Sequence, residues 1–124
     1  DQLPFYTYIN IGLESSDTPT LAHIGKPLNK SNVTDAFKKM QDVNNTYRNL
    51  EITSNFVIGK GLSTEHYESL IELLQTTSFT AQDKGVIYLS PLKDSPKKRE
   101  LLPLIKDIKN QSRLPVYVYL IQRL

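Results

Sequence analysis

The sequence predicts an α/β fold in which four parallel strands alternate with three long helices, within a single segment of 124 residues. Short runs of apolar, β-branched residues alternate with longer segments whose apolar residues recur at helical spacing. Two of the strand-like runs, residues 8–12 and 52–59, also end in a glycine. Long helical connections between apolar strands imply a parallel sheet, and ligands bind at the carboxyl ends of such strands.

The composition limits the classes of function open to the chain. Hydrophobic residues make up 39% and charged residues 23%, which is typical of a globular domain. The net charge of +2 is too small to indicate a nucleic acid partner. The absence of cysteine excludes an iron–sulfur cluster held by this chain alone. His23 and His66 have no acidic or cysteine partner at metal-ligand spacing, so no metal site is predicted.

No apolar run approaches the about 18 residues of a membrane span, and no signal-peptide pattern is present. We therefore expect a cytoplasmic protein with no membrane partner. Residue 1 is Asp, a predicted strand begins almost at once, and the only methionine is Met40. We expect the chain to be part of a longer protein.

The first predicted strand covers residues 5–11, which are aromatic and β-branched with little charge. A polar loop is expected next, and residues 21–28 are expected to be irregular because glycine and proline interrupt them. The first long helix is predicted to begin with Asn32 as its N-cap. Its buried stripe is predicted to consist of Val33, Phe37, Met40 and Tyr47.

The second strand is predicted at residues 51–58. Ser63 is the predicted N-cap of the following helix, and Leu62 and Tyr67 are spaced as a hydrophobic staple at its start. The residues of this helix that are predicted to face the core are Tyr67, Leu70, Ile71 and Leu74.

The third strand is predicted at residues 86–89, which are nearly all apolar and therefore expected to be buried on both faces. The last helix is predicted to begin at Ser95 and Pro96, with Pro103 causing a kink or a later start. The fourth strand is predicted at residues 116–121. The apolar face of the last helix is predicted to consist of Leu101, Leu102, Ile105 and Ile108.

Alternation along the strands separates two kinds of α/β fold. A doubly wound sheet has helices on both faces and should be apolar on both, whereas a barrel can line its mouth with polar groups. One face of the first two strands is markedly polar, which favours a barrel. Four strands cannot close a barrel of eight units, so the sequence predicts half of a TIM-type barrel. The polar face carries Tyr8, Asn10, Gly12 and Glu14, then Thr53, Asn55, Val57 and Gly59.

Three segments resemble the core of radical S-adenosylmethionine (SAM) enzymes. Residues 9–15 (INIGLES) and 24–27 (IGKP) resemble the fourth-strand region of that family, which has an apolar strand, Gly-x-Glu-Ser and a later Gly-Lys. The lysine lies 12 residues after the glutamate, as in relatives of oxygen-independent coproporphyrinogen oxidase. Residues 55–59 (NFVIG) are similar to the fifth-strand motif, and residues 86–91 (VIYLSP) to the sixth strand.

This resemblance implies an enzyme in which a 4Fe–4S cluster on three cysteines cleaves SAM to a radical that attacks a small-molecule substrate. The cysteine loop follows the first strand of the family barrel and is absent here. The chain would therefore be the C-terminal half of such a barrel. We expect the fragment alone to be inactive and to carry neither cofactor.

The resemblance also implies ligand roles. Glu14 and Asn55 would hydrogen-bond the ribose hydroxyls, and Glu14 alternatively the methionyl amine, since a carboxylate has two acceptor oxygens. Lys26 would pair with the methionyl carboxylate. The plainer interpretation is that Glu14 and Lys26 are ordinary loop residues and that Asn55 is a polar residue that fills the barrel interior. No catalytic residue is implied. The implied cofactor-binding residues are Gly12, Glu14, Lys26, Asn55 and Gly59. Backbone groups of Leu89 and Ser90 would in addition contact the adenine.

Two other interpretations stay open. The chain could be a free-standing, flavodoxin-like α/β module that binds a ligand or a partner without catalysis. A phosphoryl-acceptor module is disfavoured, because it needs an acidic pair at the end of the first strand. If the chain is half of a barrel, its apolar terminal strands have open edges, and we expect self-association through them.

Overall fold

A computed structural model describes residues 5–59, 61–76, 84–92 and 98–118, the side chains of residues 98–100 excepted. It confirms the predicted α/β class. The strands form one four-stranded sheet in the order β1-β2-β3-β4, and all neighbours are parallel. The elements are β1 (Thr7–Glu14), α1 (Thr18–His23), α2 (Lys30–Thr46), β2 (Leu50–Ile58), α3 (Thr64–Thr76), β3 (Ile87–Pro91), α4 (Lys98–Gln111) and β4 (Val116–Val118).

The described strands lie in the sheet in the same order in which they follow one another along the chain. In a flavodoxin-like sheet the first strand lies between the second and the third, which is not the order found among the described strands. β3 extends further than the predicted 86–89, and residues 119–121 of the predicted fourth strand lie outside the described residues. None of the described helices is long and apolar enough to cross a membrane.

One hydrophobic core lies between the sheet and the three long helices. Phe56, Ile87 and Leu89 are fully buried in it, and alternation places them on the same face of β2 and β3. Because all three long helices contribute to this one cluster, they cover the same face of the sheet. The helical members are Val33, Phe37 and Met40 of α2, Leu70, Leu73 and Leu74 of α3, and Leu101, Ile105 and Ile108 of α4.

The opposite face of the sheet, which we call the polar face, carries polar and aromatic side chains. The register places Gly12 of β1 beside Asn55 of β2, then Tyr88 of β3, then Tyr117 of β4. The polar face predicted from alternation is therefore present. By alternation it consists of Tyr8, Asn10, Gly12, Glu51, Thr53, Asn55, Val57, Tyr88, Ser90 and Tyr117, whereas Glu14 follows a shift in the register and pairs with Phe56.

The segment after β1 is helical where a polar loop and irregular chain were expected. Asp17 is the N-cap of α1, and its carboxylate accepts a hydrogen bond from the Thr20 N–H at 3.3 Å. Pro19 lies in the first turn, where a backbone N–H would have no partner within the helix. Pro19 therefore starts a helix here and does not close a loop.

The first long helix begins three residues earlier than predicted, since its N-cap is Asn29 and not Asn32. The Asn29 side chain accepts from the Asn32 N–H at 2.9 Å, and the Asn32 side chain accepts from the Asn29 N–H at 3.0 Å. This reciprocal pair is a capping box in which Asn32 takes the third helical position. The prediction that Tyr47 belongs to the buried stripe is also wrong, since it is the exposed C-cap of α2.

The last helix runs through Pro103, so the predicted later start is wrong. Its apolar face also differs by one residue, because Leu102 is 53% exposed and Leu104 packs against the core in its place. The predicted helix start at Ser95 and Pro96 lies outside the described residues.

Candidate functional site

The backbone is irregular at the carboxyl end of β1. The register with β2 shifts there, since Gly12 pairs with Asn55 but Glu14 pairs with Phe56. Glu14 has a φ of 73°, a left-handed conformation that costs a residue other than glycine about 1–3 kcal/mol. Bulges of this kind re-aim side chains at sheet ends and near binding sites.

The bulge turns the Glu14 carboxylate back over Gly12. A Cβ atom built on Gly12 would lie 3.4 Å from Glu14 Oε1 and 3.7 Å from its Cδ. The carboxylate therefore lies on the polar face, in space that a larger residue at position 12 would occupy. Asn55, which is buried, is the neighbour of Gly12 on the adjacent strand. The structure thus brings together three of the predicted site residues: Gly12, Glu14 and Asn55.

Gly59 lies at the same edge, directly after β2, and Tyr67 of α3 holds its backbone. The Tyr67 hydroxyl donates to the Gly59 carbonyl oxygen at 2.7 Å and accepts from the Gly59 N–H at 3.0 Å. Burial raises the pKa of Tyr67. Both backbone groups of Gly59 thus have a partner on α3, and the absence of a side chain allows a ligand to approach this backbone closely.

The remaining predicted residues are placed differently. Leu89 is fully buried, and its side chain belongs to the core. Ser90 is on the polar face, and its buried hydroxyl has no hydrogen-bond partner among the described residues. The backbone N–H of Lys26 donates to the Leu21 carbonyl oxygen after α1. No hydrogen bond or ion pair joins the Lys26 ammonium group to Glu14 in the described part of the chain.

A chain of hydrogen bonds that the sequence did not reveal fixes the loop after β1 to α3. His66 Nε2 lies 2.8 Å from the Val57 carbonyl oxygen, which can only accept, so this nitrogen carries the proton. Nδ1 is therefore an acceptor, and the Ser15 hydroxyl donates to it at 2.7 Å. Ser15 Oγ in turn accepts from the Asp17 N–H at 3.0 Å. Ser63 Oγ accepts from the His66 N–H, which confirms the predicted cap of α3.

The Ser15–His66 pair positions the loop and is not built as a nucleophile and its base. Both side chains are fully buried, so no substrate reaches the hydroxyl. The next residue adds a second link, since Ser16 Oγ lies 2.7 Å from Ser69 Oγ of α3. Because both serines directly follow Glu14, these bonds fix the strained backbone that aims its carboxylate. No spacing rule connects residues 51 positions apart, so this contact could not be predicted from the sequence.

The amino edge of the sheet holds a separate buried network. Glu51 Oε2 accepts from the Gly85 N–H at 3.0 Å, and Oε1 accepts from the Tyr6 hydroxyl at 3.2 Å. Lys84 Nζ donates to two carbonyl oxygens at the C-terminal end of α2. Burial and the charge of Glu51 raise the pKa of Tyr6 to about 12. Burial lowers the pKa of Lys84, and Glu51 acts in the opposite direction. This network joins three elements far from Glu14.

A surface cavity of about 200 Å³ lies between α1 and the start of α3. None of the predicted cofactor-binding residues lines it. In the described parts of the chain, no group of three or more His, Asp or Glu side chains could hold a metal ion. The cavity is lined by Pro19, Thr20, His23, Gly61, Leu62 and Ser63.

A scan of the chain against models of known protein families finds no match, and searches of curated proteins and of solved structures find none either. The functional interpretation therefore depends on the geometry of the carboxyl edge and on the sequence resemblance.

We predict that stability falls as the pH drops below the ordinary pKa of histidine. Burial lowers the pKa of His66, although its bond to Val57 and the charge of Asp17 act in the opposite direction. The unfolded chain therefore takes up a proton near pH 6.5 that the folded chain does not, and the unfolding free energy falls by up to about 1.4 kcal/mol per pH unit. Denaturant titrations of the wild-type chain between pH 7.5 and 5 measure this slope.

The matched variants are His66→Gln, which removes the group, and His23→Gln, which alters an exposed histidine. We expect the slope to flatten only in His66→Gln. An equal slope in all three proteins would show that protonation of His66 does not oppose folding.

We also predict that Glu14→Gly is more stable than Glu14→Ala by about 1 kcal/mol, because only glycine adopts a φ of 73° without strain. Both variants lose the carboxylate, so their difference isolates the backbone. Thermal and denaturant unfolding measure it. If the alanine variant were as stable as the glycine variant, the left-handed conformation at position 14 would not be strained.

Proposed function

We propose that this chain forms half of a radical SAM-type barrel and that its carboxyl edge holds the nucleoside part of S-adenosylmethionine. The observation that carries the proposal is the position of the Glu14 carboxylate, which a strained bulge holds over Gly12 and beside Asn55. Strained backbone that surrounding bonds maintain is typical of ligand-binding sites. The position also agrees with the general location of ligands in parallel α/β folds.

The arrangement of layers supports the barrel part of the proposal. The strands follow one another in order, the long helices share one face, and the other face is polar. In a closed barrel the helix-covered face is outside, and the opposite face lines the interior. A doubly wound sheet would need helices on both faces.

The residues at the carboxyl edge fit a nucleoside. A carboxylate offers two acceptor oxygens to the two hydroxyls of a ribose, and a carboxamide offers both a donor and an acceptor. Gly12 leaves space beside the Glu14 carboxylate that a side chain would fill. The buried Ser90 hydroxyl is a further polar group on the same face without a partner among the described residues. We propose Lys26, after α1, as the partner of the methionyl carboxylate.

The residues of this chain do not fit the iron–sulfur cluster, because the sequence contains no cysteine. A cluster would have to be bound by cysteines outside these 124 residues. When both groups are bound, such an enzyme obtains a 5′-deoxyadenosyl radical from SAM. The role proposed for this chain is to bind and orient the nucleoside.

A ligand-binding α/β module without catalysis is the second candidate, and the absence of cysteine favours it. The same carboxyl edge would then bind a nucleoside with no radical chemistry. The complete open reading frame separates the two, since a Cys-x3-Cys-x2-Cys motif upstream of this segment is required by the first proposal and not by the second.

We predict that Glu14→Ala weakens binding of S-adenosylmethionine by about ten- to hundredfold, because one or two charge-assisted hydrogen bonds are lost. This chain holds only part of the proposed site, so it is not expected to retain the ligand when purified, and NMR titration at millimolar ligand is the measurement that detects weak, reversible binding. Glu65→Ala, on the exposed first turn of α3, is the matched control and should bind like the wild type. Equal affinity in all three proteins would show that Glu14 is an ordinary loop residue.

We further propose that the chain associates with itself through β1. In the described sheet no strand pairs with the outer edge of β1. Tyr8 is 71% exposed on one face, and Ile9 and Ile11 are 43% and 37% exposed on the other. Apolar strands with open edges recruit other strands. In a complete barrel the preceding strand would cover this edge.

We predict that the apparent mass from static light scattering rises toward that of a dimer over a tenfold increase in concentration. Ile9→Lys should restore the monomer, because a charge on an open edge opposes pairing. The matched control is Leu102→Lys, which places the same charge on an exposed position of α4. A wild-type chain that stays monomeric throughout the range would contradict this proposal.

A further inference from the structure

We propose that the ring of Tyr88, supported by Tyr117, is the surface on which the planar base of the nucleoside ligand stacks. This inference rests on the proposed function and deepens it. It names the group that contacts the base and, from the charge of the site, the class of nucleoside that fits.

The sheet register aligns the groups that are needed. Gly12, Asn55, Tyr88 and Tyr117 form one row across the four strands, and the Glu14 carboxylate lies over its first member. Adjacent strands are about 4.8 Å apart, so Tyr88 lies about 10 Å from Gly12 along this row. A nucleoside whose ribose hydroxyls meet Glu14 and Asn55 extends its base along the row toward Tyr88.

The two tyrosines form a pair that suits stacking. Their ring centroids are 6.3 Å apart and their planes are inclined by 35°, within the range of stabilising aromatic pairs. Tyr88 is half-buried, and Tyr117 is 56% exposed at the outer strand. Tyr117 therefore supports the Tyr88 ring from the side away from Asn55. Aromatic rings at a protein surface stack on bases without needing a particular hydrogen-bond pattern.

The second aromatic pair of the polar face is too far away for this role. Tyr8 pairs with Glu51, which is four residues before Asn55 on β2. At about 3.3 Å per residue this places Tyr8 about 13 Å from the row. The ring of Tyr6 lies 4.8 Å from that of Tyr8 at an angle of 47°, and the Tyr6 hydroxyl donates a hydrogen bond to Glu51. The pair formed by Tyr6 and Tyr8 belongs to the network at the amino edge.

The charge of the site selects among nucleosides. Among the described residues of the polar face, Glu14 is the charged side chain at this row, whereas Glu51 belongs to the network at the amino edge together with Tyr6 and Gly85. A ligand with phosphate groups would be repelled, whereas a neutral nucleoside or one bearing a cationic group is attracted. The site therefore fits a nucleoside without phosphate, with its hydroxyls on β1 and β2 and its base over β3.

The test compares adenosine, ribose, free adenine and adenosine monophosphate by NMR titration of the whole chain. We expect adenosine to bind about five- to hundredfold more tightly than ribose because of stacking. We expect the monophosphate to bind more weakly than adenosine. Tyr88→Leu should reduce the affinity for adenosine and adenine and leave ribose binding unchanged, whereas Tyr88→Phe, which keeps the ring, should behave like the wild type. Tyr47→Leu, at an exposed tyrosine outside the site, is the matched control.

The outcomes separate this inference from the proposed function. If Glu14→Ala weakens adenosine binding and Tyr88→Leu does not, then the base does not stack on Tyr88, and the proposed ribose site at Glu14 is supported. If Tyr88→Leu weakens adenine binding and Glu14→Ala leaves adenosine binding unchanged, then stacking on Tyr88 is supported, and the proposed ribose site at Glu14 is wrong. An equal loss in Tyr88→Phe and Tyr88→Leu would overturn stacking, as would failure of adenosine and adenine to bind the wild-type chain.

Discussion

The imidazole of His66 is the contact on which the carboxyl edge of the sheet depends. One ring nitrogen donates to the Val57 carbonyl oxygen in β2, and the other accepts from the Ser15 hydroxyl just after β1. A single buried side chain of α3 therefore links two neighbouring strands at the edge where Glu14 lies. The neutral ring satisfies both contacts, and a protonated ring would present a second donor to Ser15. The geometry of the candidate site thus depends on a group whose pKa burial lowers.

The two edges of the sheet differ in how their charged residues are held. At the amino edge, buried Glu51 and Lys84 have partners on the backbone of neighbouring elements, and this network joins β2, the start of β3 and the end of α2. At the carboxyl edge, Glu14 keeps a left-handed backbone that costs free energy. A strained residue persists only where its surroundings determine its conformation. Here the hydrogen bonds that Ser15 and Ser16 make to α3 hold Glu14 in this conformation.

The sequence predicted the parallel direction of the strands and favoured their sequential order, because crossover helices and apolar strands leave few topologies for a parallel sheet. It also located the polar face, since period-two alternation is a local property. Prediction from the sequence was wrong at the ends of the helices. Asn29 and Asn32 are both good caps, and only the reciprocal bonds between them show which one begins α2. Pro19 was interpreted as closing a loop, although proline is equally suited to the first turn of a helix.

The candidate site shows a similar division between local and distant information. Gly12, Glu14 and Asn55 could be named from the sequence because a glycine and polar residues at strand ends form a local pattern, and the register then brings them together. His66 and Tyr67 could not be assigned their contacts, because each binds a residue on another element, and both interactions became visible only when α3 was placed against the strands. The same reasoning applies to Tyr88 and Tyr117. Alternation predicts which face each occupies, but only the pairing of β3 with β4 places the two rings side by side. The pairing of strands therefore carries information about the candidate site that no single motif along the chain contains.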